Sequence, residues 1–252
     1  MLPLLPGMAI VALLFGGPIL LVAGGVTRGF ESHSAVLWRS VWTSAIATAV
    51  VFPIAKRSAR VLVMHPSRYA GLIVDIPLAC PPIVVGLALL AVSRGPLQGL
   101  DNWLEVTASP FAVVVAQMVF VLPFATRLFV SLYERQDRRS EAVLLTFGCP
   151  RETAWAQAIE SPSRRSQRRL GIAVWAQAFA VFGPVLIFAG ATQGRTEIAS
   201  TAIYLTVSEG RLADAGILSL MMLLLATAIS ILADRPPGSG TAEATGDRSA
   251  IG

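Results

Sequence analysis

Few residues in this chain have side chains suited to chemistry, and their placement is more informative than their number. Arg39, Asp75 and Arg127 are ionisable, yet each lies inside a long apolar block. A charge in such a block serves a pathway, pairs with another charge, or reaches for the nearest interface. His33, His65, Cys80 and Cys149 are scattered singly, so their spacing offers no metal site and no disulfide framework. The single lysine, Lys56, follows Ala55, so a phosphate-cradling G-x-x-x-x-G-K-[ST] loop cannot be built from it. No Ser/His/Asp set stands out. The chemistry these residues suit is the passage of a charged solute rather than bond making, with no cofactor expected in the chain.

The elements that must position them follow from composition. Of 252 residues, 54% are hydrophobic and 14% charged, with a mean hydropathy of +0.67. Soluble domains run at about 45–50% apolar and about 25% charged. The apolar residues come in unbroken blocks rather than alternating, which predicts membrane helices and excludes an outer-membrane barrel. Six blocks of spanning length are expected, at about Leu4–Gly25, Ser34–Ile54, Tyr69–Val92, Pro110–Tyr133, Gly171–Ala191 and Leu212–Ala233. The first has no basic residue before it, so it reads as a retained helix rather than a signal peptide. Pro77, Pro81, Pro82, Pro123 and Pro184 fall inside blocks and predict kinks rather than chain breaks. The fold class is therefore all-α and polytopic. Residues 1–33 supply the first helix and an external loop, 34–233 the core, and 234–252 a polar tail expected to be disordered.

Positive charge sets the orientation. With both termini inside, fifteen of the twenty basic residues fall in inner segments, four in outer loops, and Arg39 within a span. This bias predicts a cytoplasmic N-terminus and C-terminus. Arg164, Arg165, Arg168 and Arg169 are expected at anionic headgroups of the inner leaflet, with nucleic acid disfavoured. Asp75 is read as a helix-start aspartate held by the helix dipole, with a pathway role as the alternative. Arg39 and Arg127 lie near span ends, where snorkelling to the interface competes with a role in the path. Gln117 and Gln177 are expected to hold helices together.

The inner connection, about 134–170, is too long for a turn. Glu141–Phe147 reads as a short amphipathic helix. Gly148 suits its C-terminus, where a left-handed residue is wanted. Pro150 falls near the start of a second helix. Ala154, Trp155, Ala158 and Ile159 then form one apolar stripe, and Pro162 closes the segment. Two helices lying on the membrane surface, or a docking element for a cytoplasmic partner, fit this spacing equally.

Glu141-Ala142, Gly148, and Ile159 with Pro162 resemble the EAA loop of ABC importer permeases. Further motifs follow the same order: Asp75-Ile-Pro77 with Cys80-Pro-Pro82 and Gly86, Arg94-Gly-Pro-Leu-Gln-Gly99, Gly183–Thr196, and Ile203-Tyr204. Together they resemble the molybdate, tungstate and sulfate permeases over residues 34 to 233. The resemblance implies a type I importer permease fold, a second permease chain in a dimer, a separate ATP-hydrolysing subunit and an extracytoplasmic binding protein, in a bacterial or archaeal plasma membrane. It implies ATPase coupling through Glu141, Ala142, Gly148, Ile159 and Pro162, and a pore at the two-fold interface. Arg195 and Thr196 are then candidates for contact with the binding protein. The chain departs from the pattern at Val143, Ser161, the basic run 164–169 and Val181. These departures leave one alternative, a relative that carries another solute or serves as a non-transporting heterodimer partner.

Overall fold

The computed structural model describes residues 14–20, 22, 30–96, 107 and 109–234. The block expected at Leu4–Gly25 lies mostly outside the described residues, and the tail from 235 lies wholly outside them. Among the described residues all regular structure is helical. Ten helices are used below: α1 (Phe30–Met64), α2 (Arg68–Ala79), α3 (Pro82–Arg94), α4 (Pro110–Glu134), α5 (Arg139–Thr146), α6 (Arg151–Trp155), α7 (Arg164–Ala180), α8 (Gly183–Phe188), α9 (Ala199–Ser208) and α10 (Leu212–Asp234). A π-helical turn, Ala156–Glu160, continues α6.

Among the described residues three helices, α1, α4 and α10, are long and apolar enough to cross a membrane, and α2 with α3 makes a fourth if the bent pair counts as one span. The core is the seam between α1 and α4, the most extensive helix contact in the fold. Ala47, Val51, Ala55 and Ala59 recur every fourth residue on α1 and are all buried, as are Ala112, Ala116, Val121, Ala125 and Phe129 on α4. Side chains four apart share a helix face, and small ones let the two backbones approach closely. Ser109 starts α4 by accepting from the Ala112 N–H at 3.2 Å, with Pro110 following where its missing N–H is harmless.

Three expectations are corrected. The second block does not end at Ile54: α1 runs on to Met64, and 35 residues at about 1.5 Å each extend well past a hydrocarbon layer of about 30 Å. Pro53 sits inside it without ending it. The third block is not one continuous kinked helix. It breaks at Cys80-Pro81, where α2 and α3 meet at 105°. Two consecutive prolines remove two backbone donors and push the residue before them out of helical geometry; Cys80 accordingly has ψ 139°. The fifth block is likewise interrupted, at Val181-Phe182, between α7 and α8, and α7 begins at Arg164, so the basic run belongs to a helix rather than to the loop. Pro123 stays within a continuous α4.

The second break is repaired by side chains. Gln117, fully buried on α4, donates to the Ala178 carbonyl at 3.2 Å, and Ser200 donates to the Val181 carbonyl at 2.7 Å. Backbone groups freed inside a membrane protein need such partners. The glue role expected of Gln117 is thereby located at the helix break.

The two interruptions pack on each other. A Cβ at Gly86 of α3 would lie 2.9 Å from the Pro184 Cα of α8 and 3.1 Å from the Ile187 Cβ. Backbone cannot withdraw as a flexible side chain can, so only glycine fits this crossing. Gly86→Ala is expected to destabilise the fold by about 1–3 kcal/mol, the usual cost of overpacking, read as a lower Tm in detergent; an unchanged Tm would mean the helices part without penalty.

Candidate functional site

The connection between α4 and α7 forms a compact hairpin of short helices. α5 ends in a Schellman arrangement: the Cys149 N–H donates to the Leu144 carbonyl at 3.1 Å, and the Gly148 N–H to the Leu145 carbonyl at 3.0 Å. Gly148 takes φ +79°, a left-handed conformation that side chains rarely adopt. Pro150 then caps α6, its carbonyl accepting from the Ala154 N–H at 2.9 Å. At the far side of the hairpin the Ser161 N–H reaches back to the Ala156 carbonyl, the i→i+5 spacing of a π turn.

The stripe read from the sequence is the surface that seats the hairpin. Ala154, Trp155 and Ile159 are fully buried, and Ala158 packs against the same cluster. Trp155 meets Tyr133 of α4 edge-on, with centroids 5.4 Å apart, and Tyr133, Phe129 and Phe52 continue the aromatic chain into the bundle. The guanidinium groups of Arg60 and Arg138 lie over the Trp155 ring at 5.6 and 5.9 Å. Such cation–π contacts contribute about 0.5–2 kcal/mol each, depending on solvent exposure. Two ion pairs tie the hairpin to the extended end of α1: Lys56–Glu160 at 2.9 Å and Arg60–Glu152 at 3.5 Å. Arg138 also donates to the Val63 carbonyl at 3.0 Å. Ser163, buried behind Pro162, donates to the Ile159 carbonyl and accepts from Gln167 of α7.

The α5 arm of the hairpin is bare. Val143 is 53% exposed, Leu145 41% and Phe147 81%, although all three are apolar. Ala142, Gly148 and Pro162 are also exposed. Glu141 and Ile159 are not: the first is nearly buried and the second is wholly inside the chain's own core. Of the five residues expected to couple, then, three sit on the free surface and two sit beneath it, where Ile159 holds the hairpin to the bundle.

Asp75 and Arg127 come together, which sequence reasoning missed. The Arg127 Nε and Nη2 donate to the two oxygens of Asp75 at 2.8 and 2.9 Å. The helix-start reading of Asp75 is corrected, because α2 begins at Arg68 and Asp75 is past its first turn. The dipole's influence fades within that turn. The detectable signal was a carboxylate and a guanidinium in separate apolar blocks, since such charges pair when they can.

At the other end of the bundle, Arg39 donates to the Glu197 carbonyl at 3.3 Å. It lines a cavity of about 320 Å³ together with His33, Gln193, Gly194 and Arg211. Thr196 is buried, and its hydroxyl accepts from the Thr192 N–H at 3.0 Å, so it closes its own loop. Arg195 is exposed beside it. Arg211 is engaged by Glu209 and by Asp214, the latter at 3.0 Å. Arg39 and Thr196 therefore belong to one end of the fold, while Asp75 and Arg127 lie nearer the hairpin end.

The sequence also missed Lys56, Arg60, Glu152 and Glu160 as the fastening of the hairpin. The available signal was Lys56 and Arg60 four apart on one helix face, with two carboxylates flanking Trp155. Trp155→Ala removes the central contact. Buried tryptophan truncations cost about 3–5 kcal/mol, so limited trypsin digestion should cut faster at Arg138, Arg139 and Arg151. Cleavage at the wild-type rate would show that the ion pairs alone hold the hairpin.

Comparison with known proteins gives a consistent set of relatives. The chain is 28% identical over 222 residues to the molybdenum transport system permease protein of Mycobacterium tuberculosis, covering 83% of each chain. It is 26% identical over 168 residues to the tungstate uptake system permease protein of Campylobacter jejuni, covering 66% of this chain and 68% of that one. Identity to the corresponding tungstate protein of Peptoclostridium acidaminophilum is 26% over 203 residues, 77% of this chain and 86% of that one. No protein-family model matches.

Proposed function

We propose that this chain, a divergent relative of the molybdenum and tungstate permeases, is the membrane-spanning subunit of an ATP-driven importer that passes a tetrahedral oxyanion. Molybdate or tungstate is the substrate, delivered by an extracytoplasmic binding protein, and ATP is hydrolysed by a separate cytoplasmic chain. A second permease chain, most simply an identical copy, completes the path. The hairpin end of the bundle is cytoplasmic, as are both termini, and the membrane is the plasma membrane of a prokaryote.

The observation that carries this reading is the two-sided hairpin. Its buried side is fixed to α1 and α4 by Trp155, Ile159 and two ion pairs, while its free side presents Val143, Leu145 and Phe147. Large apolar side chains exposed at the tip of a rigid element mark a protein contact. Because the base is held on two long helices, a displacement of the tip cannot be absorbed within the loop and must move the helices as bodies. The partner that fits is an ATPase with a cleft for the α5–Gly148 turn. No catalytic group is needed in the permease, whose work is to expose the path to each side in turn.

Gly148→Trp tests the reading. The positive φ disfavours any side chain there, and an indole would protrude beside Phe147. The variant is expected to insert and dimerise but to lose the co-purifying ATPase and at least 90% of oxyanion uptake into cells, about a tenfold effect or more. Wild-type uptake with an unaltered ATPase stoichiometry would remove the hairpin from the coupling path.

A further inference from the structure

The Asp75–Arg127 pair is unlike the other ion pairs in the bundle. Both charges project from otherwise apolar helices, and neither is enclosed: Asp75 is 39% and Arg127 50% exposed. Around them α2 presents bare Ile73 and Ile76. Arg127 lies seven residues before the end of α4, about 10 Å from that end along the helix. A charged pair set among the apolar residues of membrane helices faces water or protein rather than hydrocarbon. The face of α2 and α4 that carries it is therefore the wall of a wet path or of a chain-to-chain junction on that path.

The geometry of the pair says what it would recognise. Arg127 offers Nε and Nη2 as a fork, and Asp75 fills it with two oxygens. A guanidinium fork receives any planar or tetrahedral oxyanion that presents two oxygens at carboxylate-like spacing. A carboxylate on a neighbouring helix is thus a built-in competitor for whatever anion arrives.

We propose that Arg127 is an anion-binding residue of the translocation path and that Asp75 is its internal stand-in, occupying the fork when no oxyanion is there and reclaiming it to expel one. The inference rests on the permease reading above and deepens it by assigning a residue and a release step. While the fork is empty, Asp75 satisfies the Arg127 charge. When an oxyanion displaces the carboxylate, Asp75 remains nearby as a like charge, which keeps the anion's affinity low and its exit fast. A permease needs that property, because an anion bound tightly in the path would not leave it.

The test uses the chain purified with its co-purifying partners in mild detergent, and equilibrium dialysis against radiolabelled tungstate, alongside tungstate uptake in cells. Asp75→Asn keeps the size and removes the competing charge. It should lower the Kd for tungstate at least fivefold while slowing uptake. Arg127→Lys keeps the charge but not the fork, and should raise the Kd at least tenfold with Tm unchanged. The neutral double variant Asp75→Asn/Arg127→Gln should neither bind nor transport. An unchanged Kd in Asp75→Asn, or in Arg127→Lys should the first variant fail to accumulate, overturns the proposal. Wild-type uptake by the neutral double variant also overturns it, since the pair would then only fasten α2 to α4. Failure of the wild type to take up molybdate, tungstate or sulfate at all is a different result: it overturns the permease reading itself before any variant is compared.

Discussion

Everything in this fold hangs on the close approach of α1 and α4. Residues at four-residue intervals on α1, and at four- or five-residue intervals on α4, mostly alanine and valine, make a face without bulky obstructions, and burial of that face is nearly complete. In lipid there is little hydrophobic gain from bringing apolar helices together, so packing contact and the few available hydrogen bonds must supply the attraction. A narrow seam maximises the first. It also leaves the remaining helices, α2 with α3 and α7 with α8, to be arranged around an invariant pair rather than around each other.

Those outer elements are where the chain bends and where its polar atoms gather. Each break frees backbone groups that a continuous helix would bond internally. At the α7–α8 interruption Gln117 and Ser200 supply the missing partners, one from α4 and one from α9. The discontinuity is thus fixed in place by neighbours on both sides, and it meets the α2–α3 discontinuity through Gly86. Two broken helices abutting beside a continuous seam give an irregular surface on the protein's own terms, and Asp75 lies on α2 five residues before the first break.

The amino-acid order disclosed local features better than relational ones. The hairpin was legible because its signals are short-range: glycine at a helix end, proline at a helix start, and an apolar stripe at helical spacing. What the stripe faces was not legible, since a membrane surface and a cytoplasmic partner fitted its spacing equally and it packs instead on the chain's own core; nor was the exposed set, since Val143, Leu145 and Phe147 look like core residues in one dimension. The length of α1 was hidden because Lys56, Arg57 and Arg60 end the apolar run without ending the helix. Charge ends a membrane block; it does not stop helical hydrogen bonding. The prolines at 81 and 82 were visible, yet whether they kink or break depends on what packs around them. The pairing of residues 75 and 127 is a long-range fact that no local pattern carries. The candidate coupling residues divided for the same reason, because a motif marks a segment and not which of its side chains point outward.

One consequence of the unbroken α1 has to do with mechanical advantage. Arg60, beneath the hairpin, and Arg39, at the far cavity, belong to the same helix, and their separation of 21 positions corresponds to about 30 Å of rise. A helix pivoting at the middle of that length is a lever with arms of about 15 Å. Tilting it by 5° shifts each end by little more than an ångström, in opposite directions. That displacement is more than a 3.3 Å hydrogen bond such as the one from Arg39 to the Glu197 carbonyl can stretch before it parts. Motion delivered at one surface therefore needs no relay of intervening side chains to be felt at the other: the two ends of the fold are opposite ends of one beam, and their movements are coupled by its stiffness alone.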